Sequence, residues 1–241
     1  MQSNFYVGMS GQIAIEKRLQ TIASNVANMN TAGYRADGVS FDTVLSNTGE
    51  TPVAFSSEGT TFISRRSGEM TKTDNPLDVA TQGDSWIAIQ TPKGVAYTHD
   101  GRMKIGPGGE LTTLTNLPIL DAGGSAMLLD PSAGAPVIAQ DGMMTQGGRQ
   151  VGAIGLFSID PTANLTRAAN SGVIPDKAAT PILDFTDAGM AQGFVEGSNV
   201  NPILELSKLI EIQHNLDSVS NANQAGDTSL QDAIKTLGQT S

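Results

Sequence analysis

Ile15-Glu16-Lys17-Arg18-Leu19-Gln20-Thr21-Ile22-Ala23-Ser24-Asn25-Val26-Ala27-Asn28-Met29-Asn30 is the stretch on which the fold turns. Ile15, Leu19, Ile22, Val26 and Met29 recur at spacings of four, three, four and three, which lays one apolar seam along a helix. Ser3 and Asn4 are N-cap residues and place the helix start. Asn30-Thr31-Ala32-Gly33 accepts the left-handed conformation that ends a helix. Gly8 and Gly11 each weaken the first turns by about 1 kcal/mol relative to alanine.

Working outward, the texture changes between Thr31 and Glu196: glycine and proline recur every few residues, with short runs of Val, Ile, Thr and Phe between them. Trp86 to Gln90, a turn at Thr91-Pro92-Lys93-Gly94, and Val95 to Thr98 read as a β-hairpin. Met103 to Ile105, Leu111 to Leu114, Pro118 to Leu120, Ala126 to Leu129, Pro136 to Ala139 and Ala153 to Ile159 are further strand candidates, bounded by turns such as Asp141-Gly142. Ser46 to Thr61 is polar and is expected to be irregular or mobile. Helical period returns after Asn201-Pro202, a cap followed by a proline at the first helical position. Leu209, Ile212, Leu216 and Val219 then form a second seam, which Gly226-Asp227 could interrupt.

The expected fold class is therefore α+β, with N- and C-terminal heptad helices pairing as a coiled-coil-like α domain around a central antiparallel all-β domain. Its parts are an N-terminal helical segment over 1–45, an extended or mobile connector over 46–75, a β domain over 76–195, and a C-terminal helical segment over 196–241. An amphipathic helix gains most of its stability by burying its stripe, so each terminal helix needs a partner. That partner is the other terminus, another copy or a different protein, and on this reading the seams stay bare until copies stack. The amides of Asn25, Asn28 and Asn30 fit either helix-end capping or hydrogen bonding across a subunit seam.

The chain carries 24 acidic against 14 basic residues in 241, a formal net charge of −10, which argues against nucleic acid and against a polybasic membrane face. It has no cysteine and only His99 and His214, so thiolate chemistry and a histidine-rich metal centre are excluded. No apolar run approaches the roughly 20 residues of a membrane span, and the start lacks the pattern of a cleaved signal. Catalytic signatures are missing too. Gly8-Met9-Ser10-Gly11 falls short of a nucleophile elbow and sits in a helix. His99 beside Asp100 reads as a solvated turn histidine, Asp74, Asp78 and Asp84 as turn residues without calcium-loop spacing. Asn164-Leu165-Thr166 is a chance-level glycosylation pattern.

Ser24-Asn25-Val26-Ala27-Asn28-Met29-Asn30-Thr31-Ala32-Gly33-Tyr34-Arg35, followed by Phe41, resembles the N-terminal signature of the bacterial flagellar rod and hook proteins. Glu196-Gly197-Ser198-Asn199-Val200-Asn201-Pro202-Ile203, with Glu205 and Ile210-Glu211-Ile212-Gln213, resembles their C-terminal signature. Tyr6 to Ser10, Gly193-Phe194 and Thr81-Gln82-Gly83-Asp84 before Trp86 are most similar to proximal rod members, with distal rod members next. Gln213-His214, Leu216 and Val219 depart from a family pattern that has an arginine and an aromatic ring there.

The resemblance implies a non-enzymatic structural subunit without cofactor or metal, whose terminal helices build the inner tube while the β domain lies outside. Its implied partners are other rod subunits, neighbouring basal-body and export-gate proteins, and self or homologous axial proteins, with neither nucleic acid nor membrane insertion. Export without a cleaved signal into the periplasm-spanning rod is implied as well. Partner contacts are expected at Ile15, Leu19, Ile22, Asn25, Val26, Asn28, Met29, Leu209, Ile212, Leu216 and Val219. Because an unpaired seam gains too little burial to offset the entropy of ordering, both helical arms are expected to be largely disordered or only transiently helical before assembly. The rival reading is a carbohydrate-binding or enzymatic β domain tagged with self-associating helices.

Overall fold

A computed structural model describes residues 2–46, 53–57 and 59–238. The chain divides into two compact units, one of Met1–Ala27, Asp37–Phe62 and Asn201–Ser241, the other of Asn28–Ala36 and Ile63–Val200.

In the first unit, helix α1 spans Gln2–Ala27 and helix α2 spans Pro202–Gly238. α1 stops before Asn30 because residues 28–33 turn instead, with Thr31 N–H donating to the Asn28 carbonyl at 3.1 Å. α2 starts where the sequence marks it: the Asn201 side chain accepts from Leu204 N–H at 3.1 Å, and Pro202 takes the position whose missing donor costs nothing. It runs unbroken through Gly226-Asp227, since the roughly 1 kcal/mol cost of one glycine does not end a helix of 37 residues. Strand β1 (Asp37–Ser40) pairs with β4 (Thr60–Ile63), and β2 (Thr43–Ser46) pairs antiparallel with β3 (Val53–Ser56). In the stretch expected to be irregular or mobile, the described residues thus include two strands; residues 47–52 and 58 lie outside the described residues. α1 lies against α2, β1 and β3.

The second unit is built from short antiparallel strands. Its largest sheet orders Leu165–Arg167, Val173–Pro175, Gly94–Thr98, Trp86–Thr91, Leu156–Ser158 and Thr180–Pro181, each hydrogen-bonded to the next. The hairpin read from sequence is at its centre, closed by Thr91 opposite Gly94. Trp86, Ile87, Ala88 and Ile89 are all buried, as a strand covered on both faces requires. Alternation sends Ile87 and Ile89 into a core of Val79, Met103, Leu111, Met144, Ile154 and Leu156, while Trp86 packs with Ile159 and Val173 on the other face. Sequence reading missed Val79–Gln82 and Gly189–Gln192, which pair with each other, and Met70–Lys72 with Phe194–Glu196. The last pair delivers Glu196 to the place described next.

Candidate subunit interface

Asn25 organises the helical unit. It is buried, and its amide makes two bonds to the backbone of β1: Nδ2 donates to the Asp37 carbonyl at 2.9 Å, and Oδ1 accepts from Asp37 N–H at 2.8 Å. The same Nδ2 reaches Glu205 Oε2 at 3.2 Å, and Glu205 Oε1 accepts from Lys208 at 2.6 Å. Asn25 near the end of α1 thus meets Glu205 at the start of α2, while Arg18 and Ile212 line the same groove, so the helices run in opposite directions. The groove holds about 380 Å³ between α1, α2, β1 and β4, with Ile22, Val39, Phe62 and Ile212 among its apolar walls. Arg18 also sits over the Phe41 ring, 5.8 Å from its centroid.

The structure brings part of the expected contact set together. Ile22 and Ile212 are buried, and Ile15, Leu19, Val26, Leu209, Leu216 and Val219 are half-buried. The expectation of wholly bare seams is therefore corrected: their centre is covered within one chain, because the antiparallel neighbour supplies the apolar partner. Asn28 and Met29 are half-buried and belong to the other unit, where the Asn28 side chain accepts from the Thr31 hydroxyl at 3.2 Å. Asn25 serves neither a cap nor a free seam; its donors and acceptor are used inside the protomer.

Sequence reading missed the apolar surface that does remain open. On α2, Ile203 is 78% exposed, Leu206 50% and Ile210 55%. Their spacings of three and four make a stripe of their own. That signal was present at the sequence level, but a single heptad register fitted through Leu209 and Ile212 conceals a second stripe on another face.

The β unit holds the two signatures together at a buried ionic centre. Arg35 and Glu196, each 1% exposed, pair at 2.9 Å. Glu196 Oε1 also accepts from Gly68 N–H at 2.7 Å, and its backbone carbonyl accepts from Gly33 N–H at 2.8 Å. Gly33 has φ +63°, and a Cβ there would sit 2.2 Å from the Asp100 nitrogen, so both conformation and space demand glycine. Asn199 completes the junction by accepting from Ala36 N–H at 2.7 Å and donating to the Ser64 hydroxyl and the Arg66 carbonyl.

His99 is not the solvated turn residue expected. It is 1% exposed, edge-on to Trp86, with Nδ1 at 2.7 Å from the Thr81 hydroxyl and 3.0 Å from Glu196 Oε2. Burial pushes its pKa down, against the pull of Glu196, so the ring is held neutral. Burial pushes the Glu196 carboxyl up, but the bond from His99, the neighbouring Arg35 charge and the Gly68 amide together bring it below the ordinary value. Asp100 turns away from His99 to a two-pronged pair with Arg102 at 2.8 and 2.9 Å. With base and carboxylate both sealed from solvent, this cluster has no access for a substrate. Asp78 accepts from Thr73 and Asn75, Asp84 from the Trp86 ring nitrogen, and Asp74 pairs with Lys72: turn and strand-end roles, as read from sequence. Among the described residues, no group of three His, Asp or Glu could hold a metal ion, and no helix is long and apolar enough to cross a membrane.

Comparison with known proteins agrees with this architecture. The family described as flagella basal body rod protein matches residues 5–35, and the C-terminal family of flagellar basal body rod FlgEFG proteins matches residues 191–236. The chain belongs to the flagellar basal-body rod proteins and is a structural subunit of that class, not an enzyme. Within the class it is most like FlgF: it is 46% identical to the flagellar basal-body rod protein FlgF of Mesorhizobium japonicum over 100% of both chains, and 43% identical to that of Rhizobium meliloti over 99% of both. The flagellar basal-body rod protein FlgG of Bacillus subtilis is 28% identical, with 97% of this chain and 98% of that protein covered.

Proposed function

We propose that this chain is a proximal-rod subunit that assembles helically through α1 and α2, forming part of the drive shaft and of the channel within it. The observation that carries this reading is the antiparallel pair of terminal helices, each in a family-matched segment, with apolar residues left on its outside. In it, α1 and α2 act as a coiled-coil-like α domain. Other rod subunits, homologous axial proteins and the export gate are its neighbours. The chain reaches the periplasm-spanning rod through the flagellar export apparatus. Full-length likeness to proteins named FlgF supports the proximal placement, while the FlgG relatives keep the distal rod as the second reading.

The half-buried seam residues provide the test. Leu19→Asp and Leu216→Asp are expected to block recovery of the chain in purified basal bodies and to abolish swimming, while the isolated variants keep the thermal transition of the β unit. Normal incorporation of both variants would remove the helices from the interface.

A further inference from the structure

We infer that neighbouring copies of this chain join ridge into groove, with Ile203, Leu206 and Ile210 of one copy seated between α1 and α2 of the next. The inference rests on the rod-subunit reading and specifies the contact that reading requires.

The two surfaces match in placement. At 100° per residue, the ridge centres roughly 160° around α2 from Glu205, Lys208 and Ile212, which line the groove. A patch and its receptor on opposite sides of one helix make a heterologous contact, and such contacts propagate when the rotation does not close into a ring. They also match in length. The ridge runs from residue 203 to 210, about 10 Å of helix; the groove runs from 18 to 25 on α1 and from 205 to 212 on α2, about 10 Å each. Their chemistry matches as well: aliphatic knobs at least half exposed face a groove walled by Ile22, Ile212 and Phe62, the last 54% exposed.

Charge favours a second copy as the occupant. A chain of net charge −10 repels its own kind unless the approaching surfaces are locally neutral. Around the ridge, Ser207 and Gln213 carry no charge, and Glu205 and Lys208 lie on the groove side and pair with each other. The nearest acidic residue on the ridge's own face, Asp217, lies two turns beyond Ile210. The groove itself sets Arg18 and Lys208 against Asp37, Glu205 and Glu211, close to balance. A strongly basic or acidic partner helix would find no complementary field at either surface.

Because the natural sequence has no cysteine, engineered thiols report this contact alone. Full-length Leu206→Cys and Glu211→Cys variants, both exposed positions, are mixed under mild oxidation, with the circular dichroism of each checked against wild type. Mixed disulfide dimers are expected well above the yield of either variant alone, and adding Ile210→Glu to the Leu206→Cys chain should cut that yield about ten-fold or more. Self-linking by Leu206→Cys at an equal yield would indicate ridge against ridge and overturn the inference. In cells, a photocrosslinker at position 206 is expected to give adducts with groove peptides of this same chain in purified basal bodies. Adducts with a different rod protein in their place would overturn the second-copy assignment. A chain present in basal bodies but without self-adducts sinks the inference and leaves the rod reading standing; a chain absent from basal bodies sinks both.

Discussion

The β unit and the helical unit use buried charge differently. In the β unit, charge is taken inside: Arg35, Glu196 and His99 form a sealed centre that ties residues 33–36 to residues 196–199, and the surrounding strands leave no route to it. In the helical unit the buried amide of Asn25 fixes the helices to β1, the buried carboxylate of Glu205 is paired with the half-exposed Lys208, and apolar residues are left on the outside. A charged, desolvated centre tolerates little change in its partners, because each member leaves another uncompensated. An apolar surface kept open lowers stability very little but is available to a neighbour. The contrast separates a part that maintains its own shape from a part that completes itself by association.

The largest expected effect tests the first half of that contrast. Glu196→Ala leaves the Arg35 guanidinium buried without a carboxylate, and should lower β-unit stability by about 3–5 kcal/mol in chemical denaturation. A loss below about 1 kcal/mol would mean the pair contributes little. Next, Ile22→Ala opens a cavity between the helices and should cost about 2–4 kcal/mol, read as an earlier loss of helical ellipticity with the β-unit transition unmoved. Transitions that shift together would erase the distinction between the units.

Acid should act on the β unit in particular. His99 has a pKa below its unfolded value, so the unfolded chain binds the extra proton first; its contribution is intact above about pH 6.5 and fades as pH falls below that. Glu196, also lowered, adds a second loss in the same direction once pH passes below the ordinary carboxylate value. The expected slope in the first window is up to about 1.4 kcal/mol per pH unit, and His99→Gln should flatten it. The smallest stability effect belongs to Leu206→Ser, within about 0.5 kcal/mol because the side chain is already half exposed, yet its incorporation into rods should fall. A variant that both unfolds and fails to assemble would show the ridge to be core.

Periodicity made both helices legible, and turn chemistry located the central hairpin, because those signals are local. The seam residues were visible for the same reason, and the pairing of the two terminal helices was expected, but which residues that neighbour covers was not legible, since nothing local says which partner covers a stripe. His99 was misread: a histidine beside Asp-Gly looks like a turn tip, and only the pairing of Phe194–Glu196 with Met70–Lys72 carries Glu196 to it across 97 residues of sequence. Glu196 and Arg35 each stood in a family signature, but no spacing rule announces that the signatures form one ion pair. The ridge at Ile203, Leu206 and Ile210 was legible in principle, and was passed over because one register had already been assigned to that helix.

Asn199 has a mechanical consequence. The chain passes between its two units after Ala27, Ala36, Phe62 and Val200, and the single amide of Asn199 binds residues bordering three of those passages: Ala36, Ser64 and, through its own position, Val200. Within the β unit, the three segments that lead out of it are thereby gripped at a common knot, in the way a rope splice holds its strands.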